Sequence, residues 1–256
     1  MNSTYKKYTL GIISIVSIFL LWQLVVIIKD DTFIFPSVME ILKSSFKIIT
    51  NQTDLFVLGN TILKLIIVIL ISLLLSATFA FIYIIVPSSI YFFRPIINLL
   101  KAAPFAVISI YIFYAFYQVK EIAPGIVTFL VVLPLSFEGL VGAINNIDKN
   151  LIDDLKMLEI SVIKKFIYIY IPLCIPYIVT TILQSFGLGL KVMIMSEFMS
   201  QVDNTIGGTL FNIKYNYDYA YLLGWLVIII TIVSIVDMLI RIISKKSLIN
   251  SRNKIS

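Results

Sequence analysis

The 256-residue chain has no histidine, a single cysteine at Cys174, and only 13% charged residues. Without histidine, imidazole catalysis and Ser-His-Asp triads are excluded. One thiol permits neither an intrachain disulfide nor a thiolate metal cluster, and no metal site is expected. A Gly-x-x-x-x-Gly-Lys-Ser/Thr phosphate cradle is also missing, so the chain carries no nucleotide site of that type and no cofactor is expected within it. No catalytic residue emerges, and the chain is not expected to be an enzyme.

What it does have is apolar length. Hydrophobic residues make up 60% of the sequence, and a helix needs roughly 20 consecutive apolar residues to cross a bilayer core of about 30 Å. Six such runs occur, at 8–28, 57–86, 95–117, 122–141, 177–199 and 219–243. Lys6 and Lys7 precede the first run as they would in a signal peptide. That run exceeds the ~7–15 residues of a signal's apolar middle, no small-residue cleavage site follows, and it reads as an anchor. The expected fold class is an all-α membrane protein of about six transmembrane helices, forming a single domain over 1–256.

Positive residues accumulate on the cytoplasmic side of short loops. With both termini inside, twelve Lys and Arg residues are cytoplasmic (Lys6, Lys7, Arg94, Lys149, Lys156, Lys164, Lys165, Arg241, Lys245, Lys246, Arg252 and Lys254). Five fall outside (Lys29, Lys43, Lys47, Lys120 and Lys214). The net charge of +6 is therefore a topology signal in contact with lipid headgroups, and no nucleic-acid partner is needed to explain it.

Two connections depart from membrane character. In 29–56, Phe35-Pro36-Ser37 opens a segment with Val38, Ile41, Leu42, Ser45 and Ile49 on one helical face; an amphipathic helix on the membrane surface is expected, a solvated linker being the alternative. In 142–172, Leu151, Leu155, Leu158 and Val162 form an apolar stripe on a polar segment, which suits an amphipathic helix with a docking partner. Asn150 is placed to cap that helix and Ser161 to cap the next, which continues toward Pro172. Prolines at 95, 104, 124 and 134 are candidate kinks in the spans.

This loop resembles the cytoplasmic EAA loop of bacterial ABC importer permeases, in particular the family serving nitrate, sulfonates, taurine and thiamine precursors. Asp153-Asp154-Leu155, Glu159 and Ile171-Pro172 stand where that family has Glu-Ala-Ala, Gly and a hydrophobic residue with Pro. Asp154, Leu155 and Glu159 depart from the pattern. The resemblance extends in order through Gly59-Asn60-Thr61, Arg94-Pro95, Lys101-Ala102-Ala103-Pro104, Ser185-Phe186-Gly187-Leu188-Gly189, Ser196-Glu197-Phe198 and Ile206-Gly207-Gly208, the last a glycine-rich external turn.

It implies a type I importer permease in the bacterial cytoplasmic membrane, with Asp153, Asp154, Leu155, Leu158, Glu159 and Pro172 coupling to a cytoplasmic ABC ATPase that binds the ATP. It also implies an extracellular or periplasmic substrate-binding protein and, since no internal duplication is visible, a homodimer. The cargo expected is a small anionic or heterocyclic solute. The alternative is a secondary transporter or channel that works without a motor.

Charged groups at membrane depth are costly, and Lys64, Lys101, Lys191, Glu197 and Asp237 qualify as candidates on that ground. Lys64 and Asp237 read as structural, Asp237 pairing with Arg241. Lys191, Met193 and Glu197 lie on the fifth span, which the resemblance places near the translocation path. Lys191 has two readings, contact with an anionic solute or pairing with a neighbouring helix. Gly187 and Gly189 suit close helix packing or a pore lining.

Overall fold

A computed structural model describes the backbone of residues 2–148, 150 and 160–252, and the side chains of residues 9–11, 13, 14, 16–148, 150 and 160–239. All regular structure among them is helical: α1 Asn2–Lys29, α2 Val38–Thr50, α3 Gln52–Ile85, α4 Ile90–Ala102, α5 Phe105–Ala115, α6 Ala123–Asn145, α7 Val162–Ser200, α8 Ile206–Asn216 and α9 Tyr219–Arg252. Five helices are long and apolar enough to cross a membrane, and six spans result if α4 and α5 count as one bent span. The chain forms two compact units, one of Met1–Phe56 and Leu210–Thr231, the other of Val57–Thr209 and Ile232–Ser256.

In the first unit, Ser37 caps α2 through a reciprocal pair: its hydroxyl accepts from Glu40 N at 3.3 Å, and the Glu40 carboxylate accepts from Ser37 N at 2.8 Å. Trp22 Nε1 donates to Pro36 O at 3.0 Å, tying α1 to the entry of α2. The buried residues of α2 are Ile41, Ser45 and Ile48, while Leu42 and Ile49 are exposed. The α2 residues turned onto protein are thus rotated from the expected stripe, of which Leu42 and Ile49 stay exposed. Ser45 Oγ reaches Gly224 O at 3.3 Å on α9, where a side chain at Gly224 would sit 3.1 Å from Ser44 Cβ. Near the start of α9, the Tyr221 hydroxyl donates to Asp54 and the Lys47 ammonium lies 5.7 Å from the Tyr221 ring centroid.

The second unit corrects the expected span 95–117. The chain bends by 91° between α4 and α5 at Ala103-Pro104. Ala103 takes an extended conformation (φ −73°, ψ 126°), the region favoured for a residue before proline. Of the other candidate kinks, Pro124 sits in the first turn of α6, where a missing N–H costs nothing, and Pro95 and Pro134 lie within continuous helices.

α7 also differs from expectation at Pro172, which does not end a loop but lies inside the helix. The helix starts at Val162 with Ser161 Oγ accepting from Lys164 N at 3.4 Å, as the sequence indicates. It then widens into a π turn at Phe166–Tyr170 before resuming at Ile171. Proline has no N–H and crowds the carbonyl four residues back, here that of Tyr168. The wider turn lies just ahead of Pro172, through which the helix passes unbroken.

α6 and α7 form the central pair of this unit. A Cβ on Gly139 would overlap Thr181, Ser136 Oγ lies 3.4 Å from Ser185 Oγ, a Cβ on Gly189 would lie 3.2 Å from Val132, and Thr128 Oγ1 lies 3.6 Å from Met193 Sδ. The partner numbers fall along α7 as they rise along α6, so the helices are antiparallel. Their seam is built of small residues, which lets backbones approach closely where lipid supplies no hydrophobic drive. On another side of α6, Phe137 and Val141 pack with Ile90 and Ile97 of α4.

Candidate functional site: an exposed polar face on the α6–α7 pair

The two helices present exposed stripes as well as a seam. On α7, Tyr177, Thr180, Gln184, Leu188, Lys191 and Met195 are exposed and recur every three or four residues, so they share one face. On α6, Glu138 and Asn145 are exposed, with half-buried Val131, Leu135 and Gly142 completing the same row. At 3.6 residues per turn each stripe lies roughly a quarter-turn from the seam, in the same rotational sense about its own helix axis. In an antiparallel pair of right-handed helices this brings both stripes to one side. The α6–α7 pair therefore has a single face carrying Glu138, Gln184, Thr180, Tyr177 and Lys191.

Glu138 lies between the levels of Thr181 and Ser185, close in depth to Gln184. It accepts from Lys101 Nζ at 2.7 and 2.9 Å, an ion pair whose side chains are each about half exposed (48% and 46%). Lys101 reaches it from the last turn of α4, just before the bend. Lys191 lies between the levels of Gly189 and Met193, and no carboxylate among the described residues lies within ion-pair distance of it.

The residues singled out on the fifth span are not brought together. Lys191 is exposed, whereas Met193 and Glu197 are both fully enclosed. Glu197 instead organises the end of α7. Its carboxylate accepts from Thr61 Oγ1 on α3 at 3.1 Å and from Gly207 N at 3.2 Å, and Thr61 Oγ1 accepts from Ile206 N at 3.0 Å. A Cβ at Gly207 would overlap Glu197 Cβ, Ile194 O and Phe198 N, and one at Gly208 would overlap Val202 O.

The expected glycine-rich turn is therefore the first turn of α8, seated directly on the C-terminal end of α7. Thr205 Oγ1 accepts from Gly208 N at 3.1 Å and caps it. α7 ends in left-handed Gln201 (φ 50°), whose carbonyl, with Asp203, accepts from Lys120 Nζ at 2.9 and 3.2 Å.

At the other end, Tyr83 OH donates to Asn145 Oδ1 at 2.8 Å, fixing the stem of the long connection that follows α6. Asp153, Asp154, Leu155, Leu158 and Glu159 lie outside the described residues, as does the side chain of Arg241 expected to pair with the exposed Asp237. Lys64 is half-buried and lines a cleft with Glu121, Val68 and Phe129. Among the described residues no group of His, Cys, Asp and Glu is placed to hold a metal ion.

Reading the sequence did not single out Glu138, Gln184, Thr180 or Tyr177. The available signals were the lone acid in the run 122–141 and the three-and-four spacing of polar residues within an otherwise apolar span.

Several apolar helices long enough for a bilayer and a bent helix pair define a multi-pass helical membrane protein. The chain belongs to the family described as binding-protein-dependent transport system inner membrane component, which it matches over residues 87–248. It is thus a membrane permease of an ABC transport system, with the all-α type I permease fold. No curated protein matches it.

Proposed function

We propose that this permease imports a small anionic or heterocyclic solute across the bacterial cytoplasmic membrane as one half of a homodimer, with both termini in the cytoplasm. A separate ABC ATPase binds and hydrolyses the ATP, and an external binding protein delivers the solute. The observation that carries this reading is the polar face of α6 and α7. Gln184, Thr180, Lys191 and Glu138 are exposed within helices long and apolar enough to span a membrane, Glu138 being paired with Lys101 of α4, and such groups are too costly to face lipid chains. A water-filled path beside a second copy accommodates them.

The motor docks through the connection 142–172. Its apolar stripe suits insertion of a helix into a groove, and its two stems are held by Tyr83–Asn145 on one side and the Ser161 cap on the other. Asp153, Asp154, Leu155, Leu158 and Glu159 make the docking helix, and Pro172 with the π turn ahead of it transmits its movement into α7.

Co-expression with ATPase subunits of the same genome, followed by purification in detergent, tests this. The expected result is co-elution, lost in Leu155→Asp while the variant still inserts and elutes at the parent's size. A charge at the centre of a buried docking stripe costs at least about 2 kcal/mol, roughly thirtyfold in affinity. Co-elution unaffected by Leu155→Asp would remove the coupling role from this stripe and return attention to transport without a motor.

A further inference from the structure

Within the proposed path, the charges on the α6–α7 face do not cancel. Glu138 is neutralised by Lys101 at 2.7 Å, and the remaining polar members of the face (Tyr177, Thr180 and Gln184) are uncharged. Thr180 Oγ1 donates to Pro176 O at 3.0 Å and is occupied within its own helix. Lys191 is left as the one cation on this face without a carboxylate, among the described residues, within 4.0 Å. It lies nine residues before Ser200, ~13 Å along the helix at 1.5 Å per residue, well inside the span. Gln184 follows two turns deeper on the same stripe and offers amide donors. A bare ammonium held at such depth favours a negative charge passing beside it.

We infer that Lys191 is the charge-selecting residue of the path: it lets anionic solutes reach the level of Gln184 and holds back cationic ones, while the Lys101–Glu138 pair keeps the deeper part of the face neutral. This rests on the reading of the α6–α7 face as a water-filled path. It extends that reading by choosing the anionic member of the two solute classes and naming the residue that imposes the choice.

The test needs no knowledge of the cargo. Gln184→Cys is introduced into the full chain, which is purified with its ATPase, placed in lipid nanodiscs, and examined nucleotide-free and ATP-trapped. Labelling rates are compared for the anionic 2-sulfonatoethyl and the cationic trimethylammonium-ethyl methanethiosulfonates, each normalised to its rate with a free thiol. Cys174 is buried, and its labelling in the parent chain gives the background.

The expected result is an anionic rate about tenfold or more above the cationic one, retained in Lys191→Arg and falling to near parity in Lys191→Gln. Labelling by both reagents at a ratio unchanged in Lys191→Gln would overturn the role of Lys191 and leave the water-filled path standing. If neither reagent labels Gln184→Cys in either state while both label Asp203→Cys on the loop beyond α7, the face is sealed. The path reading then falls, and the inference with it.

Discussion

Gly207→Ala should leave little monodisperse protein after detergent extraction, with an unfolding midpoint far below that of the parent. The added methyl would meet Ile194 O, Phe198 N and Glu197 Cβ together, and two of these are backbone atoms of α7 that cannot swing aside. Overpacking of this kind costs about 1–3 kcal/mol, with the upper end expected where backbone is blocked. Glu197→Ala should match it by another route. It removes the acceptor of both Thr61 Oγ1 and Gly207 N at a fully enclosed position, and buried groups left unpartnered cost about 1–3 kcal/mol each.

Glu197→Gln should fall between parent and alanine variant, because one amide oxygen replaces two carboxylate oxygens. Gly59→Ala supplies the control: nothing lies within 4 Å of a Cβ there, and alanine in mid-helix is worth about 0.5–1 kcal/mol over glycine. Thermal unfolding followed by fluorescence-detected size exclusion separates these outcomes. If Gly207→Ala unfolds with the parent, α8 is not seated on α7 as described.

How far the sequence revealed this arrangement depended on the range over which each feature is determined. The caps at Ser37 and Ser161 were legible because cap and partner lie three residues apart. The break at Ala103-Pro104 was visible as a proline in a span, but the same signal stood at Pro95 and Pro134, where the helix runs on. The surroundings of each proline decide between a kink and a right-angled turn. On α2, Ile48 and Ile49 are both apolar; Ile48 is the buried one, on a helix that meets Gly224, far along the chain, through Ser45.

Glu197 was legible as a costly intramembrane acid, but its partners Thr61 and Gly207 come from two other helices. Its role as an anchor of those helices was therefore not. Glu138 was passed over for the same reason, since its cation stands 37 residues away on the far side of the α4–α5 bend. The order of membrane spans follows from local composition, whereas the polar face follows from the register of α6 on α7, which Gly139, Ser136 and Gly189 set through contacts distant in sequence.

The Lys101–Glu138 pair makes a prediction whose sign reverses with the partner removed. Glu138 lies close in depth to Gln184 on the same face, so an unpaired charge there acts on a reagent approaching Gln184→Cys over a distance similar to the ~10 Å that separate Lys191 from Gln184 along α7. A unit charge at about 10 Å and an effective dielectric of ~20–40 changes the approach energy by about 1–2 kcal/mol, roughly tenfold in rate. Lys101→Gln frees the Glu138 carboxylate and should erase or invert the preference for the anionic reagent. Glu138→Gln frees the Lys101 ammonium and should increase that preference by a similar factor.

The double variant Lys101→Gln, Glu138→Gln should return to the parent ratio, because it removes equal and opposite charges. Opposite shifts in the single variants that sum to none in the double variant are what two opposite charges at one level of the face that reagents reach would give. Were the two single variants to shift the ratio in the same direction, the pair would be acting through the shape of the α4–α5 bend and not through its charges. Stability should hardly discriminate the four proteins, since an ion pair half exposed on both sides contributes at most about 1 kcal/mol. The effect is thus one of selection along the path and is read there, at the level where α4 turns and α6 and α7 open onto a common side.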